Sequence, residues 1–314
     1  MKQITYLEDL TLRLATGLGQ LSEERRGRHA KYLSAAQQSD GGFAGREGPS
    51  DLYYTGFALR ALAISGELHG DLAERAAEFL RSQLSGQRAI IDFLSLIYAG
   101  RLIEISAGID VFADSSPNWR EAVGAELETL RRDDGGYAKG HEGARSSTYH
   151  SFLVLLCREL LELPHVEPER IVEFVMSQRR DDGGFVEIAP MTKSGTNPTA
   201  AAIGALKILD GLTEETCQDA AEFLADMQTD EGGLRANTRI PIADLLSTFT
   251  GLLTLQDLNA EGMIDTAAAR RFAESLEDET GGFLAAAWDT GMDVEYTFYG
   301  LGTLALISAE SVTE

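Results

Sequence analysis

The sequence predicts an all-α fold, a six-fold α/α toroid with an outer and an inner ring of helices. A Gly-Gly pair behind an acidic segment and before Phe, Tyr or Leu recurs along the 314 residues. Its first glycines follow one another at steps of 94, 48, 49 and 49 residues, at Gly41, Gly135, Gly183, Gly232 and Gly281. The first step is about twice the others, so one copy is expected to have lost its signal. Six units of about 48 residues indicate a repeat architecture.

The first helix of each unit is predicted to be amphipathic. In the fifth unit, apolar residues from Cys217 to Met227 recur at helical spacing with acidic residues between them. Thr213 is the expected N-cap of this helix. The Gly-Gly pair that follows is expected to end the helix, because glycine adopts the left-handed conformation without penalty. We therefore expect Gly135, Gly183 and Gly232 at left-handed positions.

The second helix of each unit is apolar nearly all round, which predicts burial in an inner ring. Asn197 and Pro198 are interpreted as an N-cap and first helical position. In the second repeat, the loop before the inner helix is shortened to SGQR at 85–88. No alternating pattern convincingly predicts a strand. The predicted inner helices begin near Asp51, Ala89, Ser147, Asn197, Ala243 and Asp293.

The length alone would allow two domains, but the repeat favours one closed domain over residues 1–314, because neither half could cover its own inner helices. A lead-in helix is expected in residues 1–20. The net charge of −23 argues against nucleic acid or an anionic membrane surface as partner. No stretch predicts an integral membrane span. Cys157 and Cys217 lie inside helical patterns, which favours core positions in a reducing compartment and a cytoplasmic location.

Two segments, YLSAAQQSDGGFAGREGPSDLYYTGFALRAL and FVMSQRRDDGGF, resemble the repeats of protein prenyltransferase β subunits. Squalene and terpene cyclases share related repeats. The resemblance covers the chain from about residue 22 and implies a toroid whose inner helices surround an apolar funnel for an isoprenoid diphosphate. It also implies a catalytic zinc and a helical α-subunit-like partner; a homodimer is the alternative.

The resemblance implies three zinc-ligand positions, of which Asp244 alone matches. The cysteine position is Leu246 and the histidine position is Tyr296. Asp293 and Glu295 lie close to Tyr296 and offer substitute oxygen donors. Their alternative interpretation is favourable interaction with a helix dipole. We therefore expect no tightly bound zinc and no other cofactor.

The resemblance also implies a diphosphate site and an apolar lining. Arg235 and Arg239 are the candidate cations, and His150 lies on the third inner helix as a candidate catalyst or a core residue. The inner-helix aromatics are candidates for the ligand-binding lining, or simply core. The aromatic residues selected as ligand-binding candidates are Tyr53, Tyr54, Phe93, Tyr149, Phe249 and Tyr299.

Three functions remain open from the sequence. The first is a prenyltransferase-β-like toroid that binds an isoprenoid or other long apolar ligand, with a degraded zinc site. The second is a terpene-cyclase-like or other acid-dependent enzyme; its candidate catalytic residues are Asp244, Asp293, Glu295 and Tyr296. No Asp-x-Asp-Asp motif occurs. The third is a non-catalytic scaffold or binding subunit.

Overall fold

The computed structural model describes residues 4–85, 89–141 and 145–310. Helices dominate these residues, so the all-α prediction is confirmed. The chain forms two compact units, one of Met1–Trp119 with Ala273–Glu314 and one of Arg120–Phe272. Each unit is built from consecutive helix pairs. That residues 1–314 form one domain remains a prediction.

The first unit holds the first two repeats and the inner helix of the last one. A helix precedes the repeats, where the lead-in segment was expected. Its helices are α1 (Tyr6–Leu18), α2 (Glu23–Ala35), α3 (Leu52–Ser65), α4 (Gly70–Ser82), α5 (Ile90–Ala107) and α13 (Val294–Glu310).

The second unit holds the middle repeats, with a short antiparallel pair of strands before its first inner helix. The sequence did not predict these strands, β1 (Tyr137–Ala138) and β2 (Ser146–Ser147), because each has only two residues. The helices are α6 (Trp119–Glu128), α7 (Thr148–Leu160), α8 (Pro168–Ser177), α9 (Thr196–Ile208), α10 (Glu214–Ala225), α11 (Leu245–Asp257) and α12 (Thr266–Ser275).

The Gly-Gly turns adopt the predicted backbone conformation, but they do not end the helices. The first glycine of each of the five copies has φ between +82° and +102°. Helix α8, however, ends at Ser177, six residues before Gly183. The glycine is needed because the turn touches the next outer helix: a Cβ at Gly183 would lie 2.5 Å from the carbonyl oxygen of Asp219 in α10. Both the conformation and the close approach exclude a side chain.

In four of the five Gly-Gly copies, the residue after the pair is bonded to the inner helix. The Phe185 N–H donates to Thr199 Oγ1 at 2.9 Å, and the Leu234 N–H donates to Thr248 Oγ1 at 2.9 Å. Tyr137 and Ser151 make the equivalent bond. Because these backbone donors are buried, the hydroxyl satisfies a group that water cannot reach. The bond thereby positions the first turn of these inner helices.

The two ends of the chain meet inside the first unit. Helix α1 packs against α13 so closely that a Cβ on Gly17 would lie 1.9 Å from the Ala305 carbonyl oxygen. Glu277, just after α12, accepts hydrogen bonds from Arg25 and His29 of α2. Burial would raise the pKa of Glu277, but these hydrogen bonds and charges lower it to about 2. The last repeat therefore packs against the first.

Local predictions had mixed outcomes. Thr213 caps α10, accepting the Thr216 N–H at 3.2 Å as predicted. The prediction for α9 was wrong by two residues: Gly195 is the N-cap, and Pro198 lies within the first turn. The shift arises because the Thr196 N–H and hydroxyl already bond to the loop before α11. Most of the shortened SGQR loop, residues 86–88, lies outside the described residues.

Candidate active site

Helix α13 of the first unit begins with two buried carboxylates. Asp293 is its N-cap and accepts the Tyr296 N–H at 2.9 Å. Its second oxygen accepts Arg46 Nε at 3.0 Å. Arg46 also donates to Asp289 at 2.8 Å, and this lowers the pKa of Asp289 to about 2. Asp293 is thus occupied by a cap and an ion pair.

Glu295, two residues further on, is in a different state. It is 9% exposed, and its Oε1 accepts a hydrogen bond from Tyr53 Oη of α3 at 2.6 Å. Burial raises the pKa of Glu295, and the nearby charge of Asp293 adds to this, whereas Tyr53, Arg46 and Arg60 oppose it. A carboxyl group whose protonated form is favoured can act as an acid.

Tyr53, the hydrogen-bond donor to this acid, belongs to a set of packed aromatic rings on α3 and α13. The Phe57 ring centroid lies 5.0 Å from that of Tyr53, 5.7 Å from Phe298 and 5.2 Å from Tyr299. Tyr54 packs edge-on to Tyr53 at 5.2 Å. We call Tyr53, Phe57, Phe298 and Tyr299 the aromatic cluster. Burial and the charge of Glu295 raise the pKa of Tyr54, so its hydroxyl stays protonated at neutral pH.

An arginine that the sequence analysis did not select borders the aromatic cluster. The Arg60 guanidinium carbon lies 5.0 Å from the Phe57 ring centroid and 4.9 Å from that of Tyr98 on α5. Its Nε is buried and has no hydrogen-bond partner among the described residues. The cation is therefore held by two aromatic faces.

In the second unit, Asp244 is the N-cap of α11. It accepts the Ser247 N–H at 2.7 Å and the Ser247 hydroxyl at 2.9 Å. Burial raises the pKa of Asp244, and the bonds from Ser247 oppose the change. Residue 246, the expected cysteine position, is a leucine. Across residues 4–85, 89–141 and 145–310, no three His, Cys, Asp or Glu side chains are grouped to hold a metal ion.

His150 lies in a polar cluster at the start of α7. Ser147 Oγ is 2.7 Å from His150 Nδ1 and also donates to Glu187. Burial and the charge of Lys139 lower the pKa of His150. The serine lies between the histidine and the acid, so the imidazole is not oriented by the carboxylate as in a hydrolytic triad. The cluster caps α7 and connects it to the next loop.

The remaining candidates are dispersed. Arg235 Nη2 donates to the Asp226 carbonyl at 3.0 Å, and the side chain of Arg239 is exposed. Phe249 is buried in α11, whereas Tyr149 is 38% exposed. In the first unit, Phe93 is half-buried on α5. The structure brings together Tyr53, Tyr54, Glu295 and Tyr299, with Asp293 and Tyr296 beside them.

These features define an α/α toroid protein with an acidic, aromatic site. The family described as "Prenyltransferase alpha-alpha toroid domain" matches residues 10–90 and 102–314, so the chain belongs to this family. The toroid prediction and the sequence resemblance are thereby confirmed.

Two curated relatives are geranylgeranyl transferase β subunits. The type-1 β subunit of Arabidopsis thaliana is 20% identical over 260 residues, 79% of this chain and 68% of the relative. The type-2 β subunit of Saccharomyces cerevisiae is 24% identical over 185 residues, 57% of this chain and 56% of the relative.

Two solved structures share the fold. Candida albicans protein geranylgeranyltransferase-I, complexed with GGPP, superposes with a TM-score of 0.73 at 16% identity, covering 90% of each chain. The type II terpene cyclase MstE from Scytonema superposes with a TM-score of 0.61 at 14% identity, covering 96% of this chain and 99% of the other.

Proposed function

We propose that this protein is a prenyltransferase-β-like toroid that binds an isoprenoid or another long apolar ligand. The aromatic cluster carries the proposal. Four large rings, contributed by two packed inner helices, meet around Phe57. Aromatic and aliphatic walls with few polar groups are typical of sites for apolar ligands. The relative from Candida albicans was solved with GGPP, which supports the ligand class.

Zinc-dependent prenyl transfer does not fit the residues present. A catalytic zinc needs about three protein ligands, and Asp244 is the one matching position, with both oxygens engaged by Ser247. Leucine and tyrosine occupy the other two. We therefore propose that the zinc site is degraded and that no zinc is tightly bound. Metal analysis of protein purified without chelators tests this, and one zinc per chain that Asp244→Ala removes would contradict it.

Ligand titration tests the binding proposal. In isothermal titration calorimetry, geranylgeraniol should bind with roughly micromolar affinity, because burial of apolar area supplies the free energy. Phe57→Ala should weaken binding about tenfold or more, since Phe57 contacts the other rings. Phe174→Ala, which truncates a buried phenylalanine of the outer helix α8 in the second unit, is the control. Wild-type protein that binds no isoprenoid would contradict the proposal and favour a scaffold.

A second candidate, an acid-dependent enzyme of terpene-cyclase type, is supported by one observation. Glu295 is a buried carboxyl with a raised pKa beside aromatic rings. As an acid it would transfer its proton to one carbon of an alkene, leaving a carbocation on the other carbon. The Tyr53 hydroxyl would stabilise the resulting carboxylate, and ring faces stabilise cations. Loss of a proton from the cation would return a neutral product.

Conversion of geranylgeraniol by purified protein, followed by mass spectrometry, tests this candidate. Glu295→Gln should remove turnover by at least a thousandfold, because an amide cannot donate the proton. Glu295→Asp should retain part of it, and Asp244→Asn should leave it unchanged. Turnover that persists in Glu295→Gln would exclude this residue as the acid.

The partner and the cellular compartment are also proposals. The two curated relatives are β subunits by name, so we propose a helical α-subunit-like partner, with a homodimer as the alternative. No helix within the described ranges is both long and apolar enough to span a membrane. We propose a cytoplasmic location from the two cysteines, which form no disulfide with each other and remain free.

A further inference from the structure

Four inner helices each carry one lysine or arginine within their described residues, and Arg60 differs from the other three. Arg101 pairs with Glu8 at 3.2 Å and with Glu104 at 2.8 Å. Arg158 pairs with Glu128 at 2.9 Å, and Lys207 pairs with Asp257 at 2.8 Å. Arg60 forms no ion pair in the part of the chain that the structure describes. The charge of Arg60 acts on Glu295 without forming an ion pair with it. A half-buried cation that lacks a direct counter-ion favours the binding of an anionic ligand.

The charges around Arg60 favour one kind of partner. Tyr53, Phe57 and Arg60 are spaced i, i+4 and i+7, so they share one face of α3. Glu295 bonds to Tyr53 at one end of this face, and the backbone of Arg60 lies about 10 Å further along the helix axis, seven residues at about 1.5 Å each, while its charge still acts on Glu295. An anion would be repelled at the Glu295 end and attracted at the Arg60 end.

We propose that Arg60 binds the carboxylate of an amphiphilic acid whose apolar chain lies over the aromatic cluster. This inference rests on the proposed function, since it names the head group of the same apolar ligand. The planar guanidinium matches a carboxylate in a two-pronged hydrogen bond. The contact with two rings fixes the plane of the guanidinium before the ligand arrives.

The number of charges favours a carboxylate over a diphosphate. A diphosphate carries several negative charges, and the face around Arg60 offers it one cation. The other arginine near Glu295 is Arg46, which is already held by Asp289 and Asp293. One positive charge balances one negative charge, whereas a diphosphate would bring uncompensated charge into a half-buried apolar site.

A titration of geranylgeranoic acid, geranylgeraniol and geranylgeranyl diphosphate at pH 8 tests the inference. Wild-type protein should bind the acid about tenfold or more tightly than the alcohol, the size expected of a charge-assisted hydrogen bond. Arg60→Gln should remove this preference and leave the affinity for the alcohol within about threefold. Arg60→Lys should keep part of it. Arg101→Gln, which removes a paired arginine of the neighbouring inner helix, should keep all of it.

Each other outcome has a definite meaning. Equal binding of acid and alcohol by the wild type would overturn the inference and leave the proposed function standing, with Arg60 a purely structural cation. So would a preference that survives Arg60→Gln. Tighter binding of the diphosphate than of the acid would overturn the single-charge site. Failure of every ligand would overturn both proposals. If Arg60→Gln fails to fold, as circular dichroism would reveal, Arg60→Met and Arg60→Lys supply the same comparison.

Discussion

The starts of α11 and α13 are equivalent positions in successive repeats, yet they differ in chemistry. Both helices begin with an aspartate N-cap, Asp244 and Asp293. Two residues further on, α11 has Leu246 and α13 has Glu295. The capping carboxylates are occupied by backbone N–H groups, whereas Glu295 caps nothing and bonds to Tyr53. An acid at a helix start is therefore available for chemistry only when another residue does the capping.

Among the effects that distinguish the start of α13 from the start of α11, we expect the largest to be on the free energy of unfolding. Asp293→Ala removes a cap and also the partner of Arg46 Nε, so we expect a loss of roughly 2 kcal/mol in the free energy of unfolding. Urea unfolding of Asp293→Ala and of Asp244→Ala, each compared with the wild type, measures the loss. Asp293→Asn is the control, because an asparagine keeps the cap and removes the charge. An effect of Asp293→Ala no larger than that of Asp244→Ala would show that the Arg46 pair adds nothing.

The second effect is that of Asp244→Ala, which should destabilise by about 1 kcal/mol, the usual cost of losing an N-cap. Ser247 loses its acceptor, but no ion pair is broken. Asp244→Asn should be nearly neutral in the same urea experiment. A loss well above that of Asp293→Ala would mean that Asp244 holds something besides the cap, such as a metal ion, and would reopen the zinc question.

The smallest of the three effects should be a gain in stability. The folded-state pKa of Glu295 lies above its ordinary value of 4.5, so its protonation favours the folded state. That contribution is complete below pH 4.5 and disappears as the pH rises through the folded-state pKa. Glu295→Gln should therefore stabilise the protein at pH 8, by less than Asp244→Ala destabilises it, and should leave the stability unchanged at pH 4. Thermal melts at the two pH values measure this, and destabilisation at pH 8 would assign Glu295 a structural role.

The repeat spacing was enough to predict the helices and their order, because each helix has its own local pattern. The same local patterns located Asp293 and Glu295 at a helix start. The local patterns could not show that Asp293 is the cap and that Glu295 is not. That difference depends on Arg46 and Tyr53, which are some 240 residues away in sequence.

The sequence also did not show which inner-helix cations form ion pairs and which do not. Arg60 is the one charged residue in LYYTGFALRALAIS, which is a signal that the sequence does contain. Arg101 is likewise the one basic residue in an apolar helix, which also holds Asp92 and Glu104, and it is paired with Glu8 and Glu104. A lone charge in an apolar helix thus marks a position to inspect, and tertiary contacts decide whether it is a binding site. The prediction for the Gly-Gly turns was correct for their backbone conformation, which is local. It was wrong for their position relative to the helix end, because that position depends on the contact with the next helix.

The meeting of α1 and α2 with the last repeat has a consequence for synthesis on the ribosome. Residues 120–272 separate the two segments of the first unit, so Glu277 and Ala305 emerge only after the whole second unit. The second unit is continuous and can fold as it emerges, whereas the surface of α1 that covers Ala305 must wait. Until translation reaches α13, the aromatic face of α3 lacks Phe298 and Tyr299. The nascent chain would expose Tyr53 and Phe57 for roughly 12–48 seconds, because about 240 residues separate Phe57 from Phe298 and synthesis proceeds at about 5–20 residues per second.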